Sequence, residues 1–355
     1  MKRKMLGLIA IILIVIAILF WGMHHGSTSV DSGRKLTDTS HNTVTVPVNP
    51  RHFADLWFPI DEVMVMLGAS DRIAATVGND RLLPWLYHMA PQLNKAIKIK
   101  GTIPNIETLK TADIDIAVAS SHSPATPIVK RAWIPAIEAG FADTDSFQRS
   151  ILLLADIVNT DAAKNIAQIY NNQVQQTVSA IRAKTASLPE AERPRILHLQ
   201  SLSPLQADGD NTIINEWITV AGGRNAATHL TGNKKIISPE QLAEWDPDVI
   251  ILGSQCHDLP EKENTPLGAV WKDLRAVKEK RVYRNPAGAF AWDRYGLEYP
   301  LQIQWAAKLF HPAMFTSLDM RRETADFYKH YLHYTASPDE VDAILAALPP
   351  KEMRK

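Results

Sequence analysis

The stretch SPEQLAEWDPDVIIL, residues 238–252, decides the fold, because a near copy of it, NIETLKTADIDIAVA, stands at residues 105–119. Superposed without a gap and carried on by two residues, the segments place Glu107 on Glu240, Leu109 on Leu242, Asp113 on Asp246, Asp115 on Asp248 and Ser121 on Ser254. Each copy has a polar starter, one or two helical turns, an Asp-x-Asp turn and a continuous aliphatic run. Such a run, bounded by turn residues, is the pattern of a strand buried on both faces of a helix-covered parallel sheet. Pro239 suits the first helical turn behind Ser238 as N-cap, and Asp246-Pro247 suits the turn that ends it.

The same grammar continues outward from both copies. TVTVPV, RIAATV and DIAVAS read as strands of a first half; RILHLQ, KKIIS, DVIILG and RVYRN read as strands of a second. Helical segments such as FPIDEVMVMLG and NTIINEWITVAGG separate them, so the chain is expected to hold two similar α/β layers. Between them, residues 160–188 contain no Gly or Pro, open on a Thr-Asp cap and repeat apolar residues at helical spacing. A helix of that length spans roughly 42 Å, enough to run along two lobes. The predicted fold is therefore two Rossmann-like α/β lobes with central parallel sheets, residues 41–158 and 191–347, joined by one long α-helix over 159–190.

Composition narrows the function. Lys+Arg and Asp+Glu are equal at 38 each, so the basic field that nucleic-acid binding needs is missing and no nucleic-acid partner is expected. One cysteine, Cys256, excludes an internal disulfide or a multi-cysteine metal site. It reads best as a small residue packed at a strand end. There is no P-loop, no G-x-S-x-G elbow, no H-E-x-x-H and no Cys-x-x-Cys, which points away from an enzyme, a hydrolase being the remaining candidate. MKRK followed by an apolar run to about residue 22 is an export signal, with the basic end cytoplasmic and everything after it sent across the membrane. As a helix the run reaches roughly 26 Å, between a signal peptide and a full span, so it fits either a cleaved signal peptide or retention of residues 5–22 as an inner-membrane anchor. Residues 1–40 stand outside the fold.

Two duplicated lobes, one bridging helix and an export signal resemble the helical-backbone, class III substrate-binding proteins of ABC importers, which deliver iron–siderophore complexes, haem, cobalamin and some metal or oxyanion species. The resemblance covers residues 43 to about 315. It rests on the two Glu-x-Leu, Asp-x-Asp units, on the opening TVTVPVNPRHFADLWFPIDEVMVMLGASDRIAAT and on the late RVYRNPAGAFAWDRYGLEYPLQIQWAAKLFHP. Two departures stand out: no lipid-accepting cysteine follows the export signal, and Ala112-Asp113-Ile114 lacks the proline common in such turns.

The resemblance implies that Glu107 and Glu240, one per lobe, dock onto basic pockets of a permease of two transmembrane subunits driven by its ATPase. It also implies a small-molecule metal chelate, with a ferric siderophore leading, and neither a resident cofactor nor an oligomer. Ligand in such sheets sits at the carboxyl ends of the strands, between the lobes. The loops there nominate Trp57, Trp292 and Tyr295 as flat walls, Arg294 and Arg81 as anion-pairing groups, Gln206 as a polar contact, and His122 and His257 as ligand-binding or metal-ligating imidazoles. Asp208 is a further oxygen donor. His330 and His333 read as a surface face. An anchored sensor of the same fold is the alternative to an importer component.

Overall fold

The computed structural model describes residues 33–354, apart from 102, 142, 254–255, 257–258, 260–264 and 295. The export segment, Ser254, His257 and Tyr295 thus lie outside the described residues. A two-stranded antiparallel ribbon, β1 (Arg34–Thr37) and β2 (Thr43–Val46), comes first. The TVTVPV segment therefore belongs to this ribbon and not to the sheet of the first lobe. Its burial alternates, whereas Phe53-Ala54-Asp55 is buried throughout and is the strand that starts the sheet.

The first lobe then runs β3 (Phe53–Asp55), α1 (Pro59–Met66), β4 (Ile73–Thr76), α2 (Pro84–Met89), β5 (Ile97–Lys98), α3 (Ile106–Thr111), β6 (Ile116–Ala119), α4 (Ala125–Arg131), β7 (Ala136–Glu138) and α5 (Thr144–Val158). All five strands of its sheet are parallel, in the order β5-β4-β3-β6-β7. Helix α6 (Asp161–Thr185) is 25 residues long, roughly 37 Å, and leads to the second lobe. That lobe comprises β8 (Arg195–Leu202), β9 (Leu205–Ala207), α7 (Ile213–Val220), β10 (Arg224–Asn225), β11 (Lys235–Ile236), α8 (Pro239–Trp245), β12 (Val249–Leu252), α9 (Pro266–Trp271), α10 (Arg275–Lys278) and β13 (Val282–Arg284), closed by α11 (Tyr299–Phe310), α12 (Met320–Tyr331) and α13 (Pro338–Leu345). Its sheet order is β11-β9-β8-β12-β13, with β8, β12 and β13 parallel. One difference from an all-parallel layer is the hairpin β8–β9: the SLSPLQAD segment turns back at Pro204 and pairs antiparallel instead of forming an open loop.

The repeat is now legible as bonding. Asn105 and Ser238 cap α3 and α8 by accepting from the N–H of Glu107 and Gln241. Asp113 and Asp246 take positive φ, the left-handed turn that Asp and Asn enter most readily among side-chain-bearing residues. The second aspartate of each pair ties its strand to the next one. Asp115 Oδ2 accepts from the N–H of Arg51 and His52 at 2.5 and 2.9 Å, and Asp248 Oδ2 accepts from Arg195 N at 2.7 Å. In both lobes the aspartate N–H returns a bond to the same neighbour, His52 O and Arg195 O, each at 2.9 Å.

Helix α6 is capped by Thr160 at its start, while the Arg193 guanidinium donates to the carbonyls of Thr185, Ala186 and Leu188 at its end. Its buried face, with Tyr170, Val174 and Val178, belongs to one apolar core that runs from Phe53 and Met64 of the first lobe to Trp217 and Tyr299 of the second. A smaller cluster fills the other face of each sheet. Since α6 lies within the shared core, the lobes cannot swing apart without exposing that apolar surface. Polar bonds add direction: Tyr170 Oη donates to Leu297 O at 2.7 Å, and Leu297 N donates to Glu62 Oε1 at 2.6 Å.

Candidate ligand-binding cleft

Trp57 follows β3, Leu252 and Gly253 end β12, and Arg284 and Asn285 end β13, so strand termini of both lobes meet around one cavity of about 700 Å³. Parallel strands all point the same way, which is why residues far apart in sequence gather at one edge. On the first-lobe side Trp57 also borders a second recess of about 570 Å³, where Ser120 and Ser121 end β6 and Arg149 stands on α5. The Trp57 ring rests on Phe141 with centroids 4.6 Å apart, which fixes it as a wall between the two spaces.

The charge of the main cavity is one-sided. Arg81, Lys234, Arg284 and Arg294 line it, and no carboxylate does among the described residues. Arg81 is exposed and Lys234 sits at a positive-φ turn whose N–H donates to Asp208 Oδ1 at 2.8 Å. Arg284 bonds the Cys256 carbonyl, which holds its guanidinium at the end of β13. Phe58, Trp85 and Phe290 supply apolar and aromatic surface. Low-dielectric walls around several cations focus field on an anion.

Beneath this surface lies a buried charge network. His198 is enclosed, with Nδ1 2.8 Å from Asp208 Oδ2 and Nε2 2.7 Å from Asp293 Oδ2. Burial opposes its charge, but the bonds to the two carboxylates outweigh that and raise its pKa, which favours the imidazolium form that can donate from both ring nitrogens. Burial would likewise push Asp208 up; the bonds from His198 and Arg294 instead hold it well below the usual carboxylate range. Arg294 pairs with Asp208 at 2.8 Å. Asp208 is therefore spent on holding His198 and Arg294 and is not open as an oxygen donor to a metal.

The nominated residues separate cleanly. Trp57, Arg81 and Arg294 come together on the main cavity. Trp292 does not reach it: the ring is 1% exposed and its N–H donates to Tyr328 Oη at 3.2 Å, so it supports the wall from within the core. Gln206 lies on β9, opposite Ile236 in the sheet, away from the cavity lining, because its segment folds as a hairpin. His122 is exposed beside the smaller recess, with its backbone N–H on Glu138 Oε2 at 2.8 Å. His257 and Tyr295 are outside the described residues, so the His122–His257 pairing has no geometry to report. Cys256 is packed, its thiol donating to Leu199 O and pushed up to about 11 by burial. Glu107 and Glu240 are both exposed on their lobes, away from the cavity.

Sequence reasoning missed Lys234 and Arg284, although Arg284 follows from the strand-end rule once RVYRN is read as a strand. It also missed Ala347, Leu348 and Pro349, which line the cavity from the chain's end. Helix α13 and this tail cross back to the first lobe: Trp85 Nε1 donates to Leu348 O at 2.9 Å, and His88 pairs with Glu340 of α13 and Glu352 of the tail at 2.9 and 2.6 Å.

Two α/β lobes braced by one helix, with an open cleft at their strand ends, define a receptor that holds a small solute and lets it go. The periplasmic binding protein family model matches residues 60–289, and the chain belongs to that family. Membership places it outside the cytoplasm, in the service of an ABC transporter, and in a family that is not one of enzymes. A curated relative, the molybdate-binding protein MolA of Haemophilus influenzae, is 23% identical over 336 residues, covering 88% of this chain and 95% of its own. The solved structure of MolA bound to molybdate matches with a TM-score of 0.77 at 20% identity, over 86% of this chain and 99% of that one. A periplasmic solute binding protein from Veillonella parvula has the same TM-score at 25% identity, over 88% and 96%. CeuE of Helicobacter pylori with Ni(II) bound aligns with a TM-score of 0.67 at 18% identity, over 88% and 99%.

Proposed function

We propose that this protein captures an anionic metal chelate, of the ferric-siderophore type, between lobes formed by residues 41–158 and 191–347, and hands it unchanged to an ABC permease. The observation that carries this reading is the main cavity's lining: several cations, no carboxylate among the described residues, and aromatic walls. Its volume of about 700 Å³ suits an organic chelate. A bare tetrahedral oxyanion needs on the order of 100 Å³, a few water volumes. A molybdate-type oxyanion is the second reading, favoured by the likeness to MolA. Titrating the protein with a ferric catecholate and, separately, with molybdate, followed by tryptophan fluorescence and calorimetry, tests both. Tight binding of the chelate supports the first reading; molybdate binding with no response to the chelate replaces it with the second; no response to either removes both.

In this reading the carboxylates of Glu107 and Glu240 set the register of the loaded protein on two permease subunits. Charge reversal at both abolishes import and leaves ligand affinity intact; an equal fall in affinity overturns the docking role. Residues 5–22, if retained, keep the protein at the inner membrane as a monomer beside its permease. Loss of ligand uptake on deleting the chain distinguishes this from a sensor of the same fold.

A further inference from the structure

Exposed isoleucines are ordinary when scattered singly. Two of them here are not scattered. The gapless superposition that sets Glu107 on Glu240 also sets Ile103 on Ile236, and their side chains are 51% and 73% exposed. The residue after each, Pro104 and Ile237, is buried, and the next, Asn105 and Ser238, is the helix cap. Each lobe therefore presents the same sequence of environments: isoleucine outward, anchor inward, cap, then an outward glutamate at the second helical position. The packing of the buried anchor and the bonding of the cap hold the two outward side chains in a fixed relation.

The equivalence needs a cause, because the lobes have diverged around it. Ile236 lies on an edge strand paired to the β8–β9 hairpin, whereas Ile103 lies in an irregular segment after β5, in a lobe whose sheet has no such hairpin among the described residues. Local folding differs and the exposed pair is kept. Neither isoleucine borders the ligand cavity, so the ligand does not account for them.

We propose that Ile103 with Glu107, and Ile236 with Glu240, are two equivalent contact points for a partner that itself presents two equivalent sites, each an apolar recess beside a basic residue. The partner of that description is the two-fold pair of permease subunits, so the inference rests on the importer reading above and adds an apolar component to it. The glutamate guides encounter and is weakened by salt; the buried isoleucine holds the complex and is not. Charge complementarity sets the partner's sign, since each contact point carries a carboxylate. Glu107 has a nearby cation in Lys110, at 3.8 Å, a solvent-exposed pair that yields easily to a better partner.

The test uses the full-length chain and its purified permease–ATPase complex in lipid nanodiscs, measuring the dissociation constant by interferometry at low and high salt. The variants are I103S with I236S and, separately, E107Q with E240Q. Ile→Ser at each site is expected to weaken binding about tenfold or more, the effect of exposing a buried aliphatic side chain, and to do so equally at both salt concentrations. Glu→Gln is expected to weaken binding chiefly at low salt. A benzophenone side chain at 103 or at 236 is expected to cross-link to the same permease polypeptide. If the isoleucine variant binds within twofold of the parent while the glutamate variant is impaired, the apolar contact is overturned and the docking face survives. If the parent chain does not bind the complex at all, the importer reading fails and this inference with it. Ferric catecholate titration of the isoleucine variant serves as the folding control and should match the parent.

Discussion

At the scale of single residues, the binding proposed for the cleft draws on the cations that line it. Arg81 and Lys234 reach it from different lobes, so each contributes field to an anion without depending on the other. Arg81→Ala and Lys234→Ala are each expected to weaken binding of a ferric catecholate about tenfold, near 1.4 kcal/mol, at low ionic strength. The loss should shrink at 1 M salt, where screening acts over about 3 Å. Calorimetry at two salt concentrations checks this. The Asp-x-Asp turns belong to this scale too. Asp248→Ala leaves the Arg195 N–H without its 2.7 Å acceptor, and it should cost about 1–2 kcal/mol in urea unfolding with the m-value unchanged.

At the scale of elements, the tail after α13 is the least expected part of the cleft. Its 347–349 segment forms wall, and its hold on the first lobe comes from Trp85, which bonds Leu348, and from His88, which pairs with Glu352. Deleting residues 346–355 is expected to lower affinity for the chelate at least tenfold while leaving the helical signal in circular dichroism nearly unchanged. Unaltered affinity would show the tail to be a mere cover. Helix α6 acts differently, because its buried face is common to both lobes and sets their distance. Small-angle scattering should therefore show the radius of gyration changing by less than about 1 Å on ligand binding, in contrast to hinge closure.

At the scale of the whole molecule, two buried carboxyl pairs lie in the shared interior. Glu62 of the first lobe faces Glu298 of the second, and burial, added to the repulsion between them, raises Glu62 well above its ordinary value of 4.5. Burial also raises Glu298, against the bond from Glu62. Asp55 and Asp61 repeat the arrangement within the first lobe, raised chiefly by burial. A carboxyl raised on folding binds its proton more tightly in the native state. Its stabilisation is complete below about pH 4.5 and is lost as pH rises through the folded value, with a slope of up to about 1.4 kcal/mol per pH unit for each proton. Stability measured by urea unfolding should thus decline from pH 5 upward. Glu62→Gln, which keeps a donor toward Glu298 but carries no charge, should flatten part of that decline; a profile identical to the parent's would show that the pair does not link the lobes to pH.

Periodicity and repetition, which are local, carried the architecture: the doubled helix–turn–strand unit, its two capped helices and the uninterrupted run that became α6 all follow from residues near one another in the chain. Trp57 was nominated although its own strand, β3, was not read as one; Arg294 was legible because a strand's carboxyl end is a place the topology makes predictable. Trp292 and Gln206 were not, since an aromatic or amide beside a strand end has the same local pattern whether it faces a cavity, a core or a sheet edge. That choice depends on what arrives opposite: Tyr328 beneath Trp292, and β11 beside Gln206. The one-signed lining of the cleft and the returning tail were decided only by tertiary structure, because burial and field are sums over residues that the chain keeps far apart and folding brings within a few ångströms.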